Sequence, residues 1–166
     1  MKDICERTHL SRGGLYRHYQ STEEIFLEIM GALMEHQGNE FEEKMSQNIP
    51  ADEILDEVLC RYEKEMLDAE ASLSVALYEF FSNPIIQKSN HSIQEQYLLS
   101  RKMWKDFIAY GVRRNEFQKI PGEDVIDLLL FSYQGVRMYS RLMPVEPLIP
   151  QKITRQIRLL LTGKES

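Results

Sequence analysis

The 166-residue chain reads as an all-α protein, with small helices at the N-terminus followed by a larger helical body. Apolar side chains recur at three- and four-residue spacing through nearly every segment, which is the period of one helix face. The breaks between segments are Pro, Gly, Asn and Ser clusters of the kind that stop helices. No segment alternates strictly, so no strand is expected, and there is no repeat or low-complexity tract.

The segment Leu10-Ser11-Arg12-Gly13-Gly14-Leu15-Tyr16-Arg17-His18-Tyr19 is the densest in signals. Ser11 suits the N-cap of a short helix. Leu15 and Tyr19, at i,i+4, form its apolar stripe and leave Arg12, Tyr16, Arg17 and His18 on the remaining surface. Cations, a phenol and an imidazole on one face suit phosphates and base edges, so the helix reads as a DNA-recognition helix. Two adjacent glycines cost about 1 kcal/mol each relative to Ala in a helix. Close approach to another backbone, such as a DNA strand, would offset that cost; a Gly pair also marks turns.

Further along, Ser21-Thr22-Glu23-Glu24 is a capping box, with Ser21 as N-cap and Glu24 at the third helical position. It opens a helix through Ile25, Phe26, Ile29 and Leu33 toward Phe41. Ile49-Pro50-Ala51-Asp52 ends the pattern, and Asp52 is expected to cap a helix carrying Ile54, Leu55, Val58, Leu59, Tyr62 and Met66. Another helix is expected from about Glu70 through Leu73, Leu77, Phe80 and Phe81 to Ser82-Asn83-Pro84. Residues 84–115 start polar and become periodic, with Tyr97, Leu98, Trp104, Phe107, Ile108 and Val112 dominating the second half. After Ile120-Pro121-Gly122, residues 123–142 place Val125, Ile126, Leu128, Leu129, Leu130, Phe131, Tyr133 and Val136 almost all round one helix. Such a helix must be buried on more than one side, one flank on the core and the other against a second subunit. Residues 144–150 break the chain again, before a final amphipathic helix marked by Ile153, Ile157, Leu160 and Leu161.

Composition is that of a soluble globular protein, 43% hydrophobic and 28% charged. The net charge of −6 is uneven: residues 1–20 hold Lys2, Arg7, Arg12 and Arg17 against Asp3 and Glu6, leaving the acidic excess to the rest. A basic head on an acidic body fits a protein that meets nucleic acid at one end. Cys5 and Cys60 have no CxxC spacing, which points away from a disulfide framework or zinc ribbon and toward a reducing cytoplasm. Cys5 and His9 stand at i,i+4, but no second pair completes a metal site, so Cys5 reads as a small buried hydrophobe. No run of apolar residues is long enough for a membrane span, and no secretion signal is evident. Nucleophile-elbow, HExxH and phosphate-loop motifs are all missing. His36 and His91 are isolated and read as surface side chains, so neither an enzyme nor a cofactor is expected.

Residues 1–29 resemble the helix-turn-helix of the tetracycline-repressor (TetR) family. The likeness rests on Ser11-Arg12-Gly13-Gly14-Leu15-Tyr16-Arg17-His18-Tyr19 followed by Ser21-Thr22-Glu23-Glu24-Ile25. A second, weaker likeness lies at residues 107–117, where Asn115 replaces the Gly of a Gly-Glu-Phe turn in a left-handed C′ role. The resemblance implies phosphate contacts at Ser11, Tyr16 and His18, groove or phosphate contacts at Arg12 and Arg17, and close approach at Gly13 and Gly14. Thr22, like Gln20, stands where relatives often carry lysine, which implies weaker and less salt-sensitive binding at that edge. His9 occupies the usual Gly turn position, implying a left-handed residue at some cost. The family's first helix has no counterpart ahead of Met1, so the three-helix head is expected to be incomplete. Ile4, Leu15, Tyr19, Ile25 and Ile29 would lose shared cover, and the first twenty residues are expected to be mobile, displaced or packed on a neighbour.

By this resemblance residues 1–29 form the DNA-binding head and residues 30–166 a helical effector-binding and dimerisation domain. Tyr62, Met66, Leu77, Phe81, Tyr97, Trp104, Phe107, Phe131 and Met138 are the candidates for lining an apolar effector cavity, although for any one of them core packing is the commoner role. The function implied is a homodimeric repressor that reads a pseudopalindromic operator and is released by a small apolar effector. The alternative is a truncated helical dimer that keeps ligand or partner binding without DNA binding. A helical enzyme would need a convergent polar set, which the sequence does not reveal.

Overall fold

The computed structural model describes residues 2–67, 74–84, 86 and 91–164. These residues form helices and, among them, no strand. In chain order the helices are α1 (Lys2–Thr8), α2 (Arg12–His18), α3 (Thr22–Ser46), α4 (Ala51–Leu67), α5 (Ser74–Phe81), α6 (Ser92–Arg113), α7 (Gly122–Leu142) and α8 (Ile149–Thr162). Glu70 and Leu73, the expected start of the helix that runs to Phe81, lie outside the described residues, as do the side chains of Leu33 and His36. The chain divides into two compact units, Met1–Glu40 and Phe41–Ser166, with the division inside α3.

Local chemistry sets the first unit. Helix α1 ends at a left-handed His9 (φ 58°), as its place in the turn predicts. Ser11 caps α2, its Oγ accepting the Gly14 N–H at 3.0 Å. The helix then stops at His18, because Tyr19 turns extended and serves as C-cap rather than continuing the stripe. Ser21 Oγ accepts the Glu24 N–H at 3.2 Å, while Glu24 Oε2 accepts the N–H of Gln20 at 2.6 Å, one residue before the cap. One orphan donor of the helix start and one donor just ahead of its cap are thereby satisfied. Leu15, Cys5 and Met30 are buried, Ile4, Tyr19 and Ile25 are half-buried, and Ile29 is exposed.

In the second unit α4 supplies the central stripe of Ile54, Leu55, Val58 and Leu59, packed against α7 and α8. Phe41, Trp104, Phe107 and Phe117 meet within it, Phe107 and Phe117 edge-on with centroids 5.4 Å apart. Edge-to-face contacts of this kind add to the stabilisation from burial alone. From α8, Ile157 and Leu161 complete the core.

Two helix ends share one solution. After α6, Asn115 is left-handed (φ 58°); its N–H reaches the Val112 carbonyl at 3.1 Å, and the Glu116 N–H reaches that of Gly111 at 3.0 Å. This is the Schellman arrangement, with Asn where Gly is usual. After α3, Asn48 (φ 59°) does the same, with bonds to Met45 and, from Ile49, to Lys44.

The expected cap at Asp52 is corrected. Helix α4 already begins at Ala51, and the Pro50 carbonyl accepts the Ile54 N–H at 3.1 Å, so Asp52 lies inside the first turn. There its Oδ1 accepts only the neighbouring Glu53 N–H, at 3.0 Å. The Ala51 N–H instead donates to the carboxylate of Glu116. A charge at Asp52 still suits the helix start through the dipole.

Candidate functional site

Helix α2 is seven residues long and packs against α1. Its one buried side chain, Leu15, fixes which surface faces outward. Ser11, Arg12, Gly13, Arg17 and His18 are exposed, Tyr16 is 53% exposed, and Gly14 is half-buried. Among the described residues no carboxylate forms an ion pair with Arg12 or Arg17. Thr22, at the start of α3, is also exposed, and its hydroxyl donates to Glu23 at 3.3 Å. All of the expected contact residues except half-buried Gly14 are therefore solvent-exposed, among them two guanidinium groups without ion pairs, a phenol and an imidazole.

In the second unit the effector candidates separate. The Tyr62 ring lies 4.5 Å from that of Tyr133 and 6.2 Å from Trp104, with Met66 one turn further along α4 and buried. Half-buried Leu77 and Phe81 belong to α5, which packs on α7. Trp104 and Phe107 are 2% and 0% exposed in the central core. Tyr97 and Phe131 pair on the outside at 5.8 Å, with Phe131 68% exposed. Met138 is half-buried on α7.

Polar groups missed in the sequence stand beside these rings. The Tyr133 hydroxyl donates to Glu65 Oε2 at 2.5 Å and accepts from Arg137 at 3.0 Å. Burial, and then the bond to Glu65, push the Tyr133 phenol far above its usual range. Tyr97 donates to Asp127 at 2.7 Å, a bond that raises its phenol too. Elsewhere, Tyr110 donates to the Ile49 carbonyl at 2.7 Å, and Glu116 takes both Arg114 (2.8 Å) and the Ala51 N–H. The spacing Tyr133–Arg137, at i,i+4 on α7, is the one sequence signal that could have drawn attention to Arg137. Among the described residues no cluster of His, Cys, Asp and Glu could hold a metal, and no helix is long and apolar enough to cross a membrane.

A short helix, a left-handed turn and a capped second helix with an outward basic face make a helix-turn-helix, the DNA-binding class of head. Residues 1–29 match the family model described as bacterial regulatory proteins, tetR family. Residues 1–29 are thus similar to the DNA-binding head of TetR-family transcriptional regulators. No curated protein and no solved structure matches the chain.

Proposed function

We propose that the protein is a homodimeric repressor whose α2 helices read two half-sites of a pseudopalindromic operator and whose helical body binds an effector that releases the DNA. The observation that carries this reading is the exposed, unpaired basic face of α2, anchored from behind by Leu15. Ser11, Tyr16 and His18 contact phosphate, and Gly13 and Gly14 permit close approach. Arg12 and Arg17 enter the groove or hold its edge, and Thr22 borders the contact. Pairing is required because recognition helices must match half-sites set by the pitch of DNA. The outer face of α7 supports it: Leu128, Phe131, Tyr139 and Leu142 are all exposed there. A row of exposed apolar side chains of this kind suits an interface, on the order of 1,200 Å² or more in total. The effector acts by preferring the released state, without which no shift follows. Tyr62, Met66, Leu77 and Phe81 are taken as effector candidates, and the setting is the cytoplasm.

The test begins with selection of a duplex from a random DNA pool by the full chain. Tyr16→Phe and His18→Ala should weaken binding about equally across variants of the selected site. Arg17→Ala should also relax one base position, by roughly 1–3 kcal/mol if it reads a guanine. Sedimentation should show a dimer that Phe131→Lys converts to monomer. A dimer that enriches no duplex would overturn the repressor reading and leave the helical-dimer alternative.

A further inference from the structure

Arg137 sits on α7 one turn beyond Tyr133, and its position is costly. Its NH1 donates to the Tyr133 hydroxyl at 3.0 Å and its guanidinium carbon lies 5.1 Å from that ring's centroid. Its Nε is buried with no hydrogen-bond partner, and among the described residues no carboxylate forms an ion pair with it. Glu65, which shares the Tyr133 hydroxyl with Arg137, is already engaged, accepting from Tyr133 at 2.5 Å and lying 3.5 Å from Arg61. The Tyr133 hydroxyl thus stands between Glu65 and Arg137, accepting from one and donating to the other. A guanidinium offers five N–H donors in a fixed fork, and a buried unpartnered donor on a charged group is among the more destabilising features a fold can carry.

We infer that Arg137 anchors a carboxylate, and that the effector is an amphipathic monocarboxylic acid rather than a purely apolar molecule. The inference rests on the reading of the body as an effector-binding domain. Nε and a terminal nitrogen present the edge that a carboxylate meets with both oxygens. The Tyr62–Tyr133 ring pair, 4.5 Å between centroids, supplies an adjoining wall for the acid's apolar part. A single charge fits better than a phosphate dianion, because Glu65 is close by and Arg61 already faces it.

The full chain would be titrated with octanoate against 1-octanol and with 4-phenylbutyrate against 4-phenyl-1-butanol. Binding would be followed by the fluorescence of Trp104, the sole tryptophan, which lies 6.2 Å from Tyr62, and by thermal unfolding. At least one acid should bind about tenfold to hundredfold tighter than its alcohol, the range of a charge-assisted pair. Arg137→Met should abolish that preference and raise the melting temperature of the ligand-free chain, since a guanidinium whose Nε is buried without a partner is removed. Should this variant fail to fold, Arg137→Lys, which keeps the charge but not the fork, should still lose most of the preference. Equal affinity for acids and alcohols, binding of neither acid, or a preference that survives both substitutions overturns the inference. Acid binding that leaves affinity for the selected duplex unchanged supports the carboxylate site and counts against the regulatory reading instead.

Discussion

Gly13→Ala separates the two explanations for the glycine pair in α2. Gly13 is exposed, the second residue of the helix, and a Cβ built there would meet nothing within 4 Å. No packing among the described residues therefore requires glycine. Alanine gains helix propensity of up to about 1 kcal/mol, less in a first turn than in an interior. For a chain of this size that raises the melting temperature by roughly 1–4 °C. Gly14 is a different case, because a Cβ there would lie 3.1 Å from the Ser11 Oγ that caps the helix. If α2 approaches a DNA strand closely at Gly13, the added methyl holds the backbones apart. Loss of one charge-assisted phosphate contact then weakens binding about tenfold or more. Gly31→Ala is the control, an equally open helical position on α3. It should stabilise the chain without touching DNA affinity. Thermal unfolding and fluorescence anisotropy on the selected duplex measure both quantities. A merely destabilising substitution lowers stability and binding together, whereas the close-approach reading requires the two to move in opposite directions. Wild-type affinity in a stabilised Gly13→Ala chain would refute it.

Glu116→Ala should destabilise the chain by about 1.5–3 kcal/mol, the range for hydrogen bonds to a charged group, because it leaves the buried Ala51 N–H without its acceptor. Glu116→Gln keeps an acceptor and should lose less; urea midpoints that coincide for all three chains would show that water replaces the carboxylate. Lys105, and after it Arg101, hold the Glu123 carboxyl below its ordinary value of 4.5. Its folded pKa is therefore lower than its unfolded one, so its contribution is fully present above about pH 4.5 and is lost as pH falls through the folded value. The urea midpoint should drop between pH 5 and pH 3, and Glu123→Gln should reduce that drop; an unchanged acid profile would place the sensitivity elsewhere.

What is legible in this sequence is what local bonds decide. Ser11, Ser21 with Glu24, His9 and Asn115 each act within a few residues, and each takes the conformation its neighbours imply. The α2 surface is equally legible, because in a seven-residue helix one buried Leu15 assigns every other side chain its direction. Pattern fails where the partner is remote. Phe107 and Phe131 are both aromatic residues on apolar helical stretches, yet one is wholly buried and the other largely exposed, since only the packing of α4, α6 and α7 decides the faces. Asp52 has the right chemistry for a cap in nearly the right place. The carboxylate that takes that role, Glu116, arrives from 65 residues away.

That long-range cap also bears on how the body could transmit an effector's presence. The Ile49 carbonyl accepts from Tyr110 on α6, and the next helix starts at Ala51 with its N–H on Glu116, two residues beyond the α6 C-cap. The residues that follow α3 are therefore tied by two hydrogen bonds to the C-terminal end of α6. The ring of Trp104, on the same helix, is 6.2 Å from that of Tyr62. Packed helices shift as units rather than deforming continuously, so on the proposed effector reading a displacement of α6 would reach Ile49, just beyond the end of α3, through these two bonds.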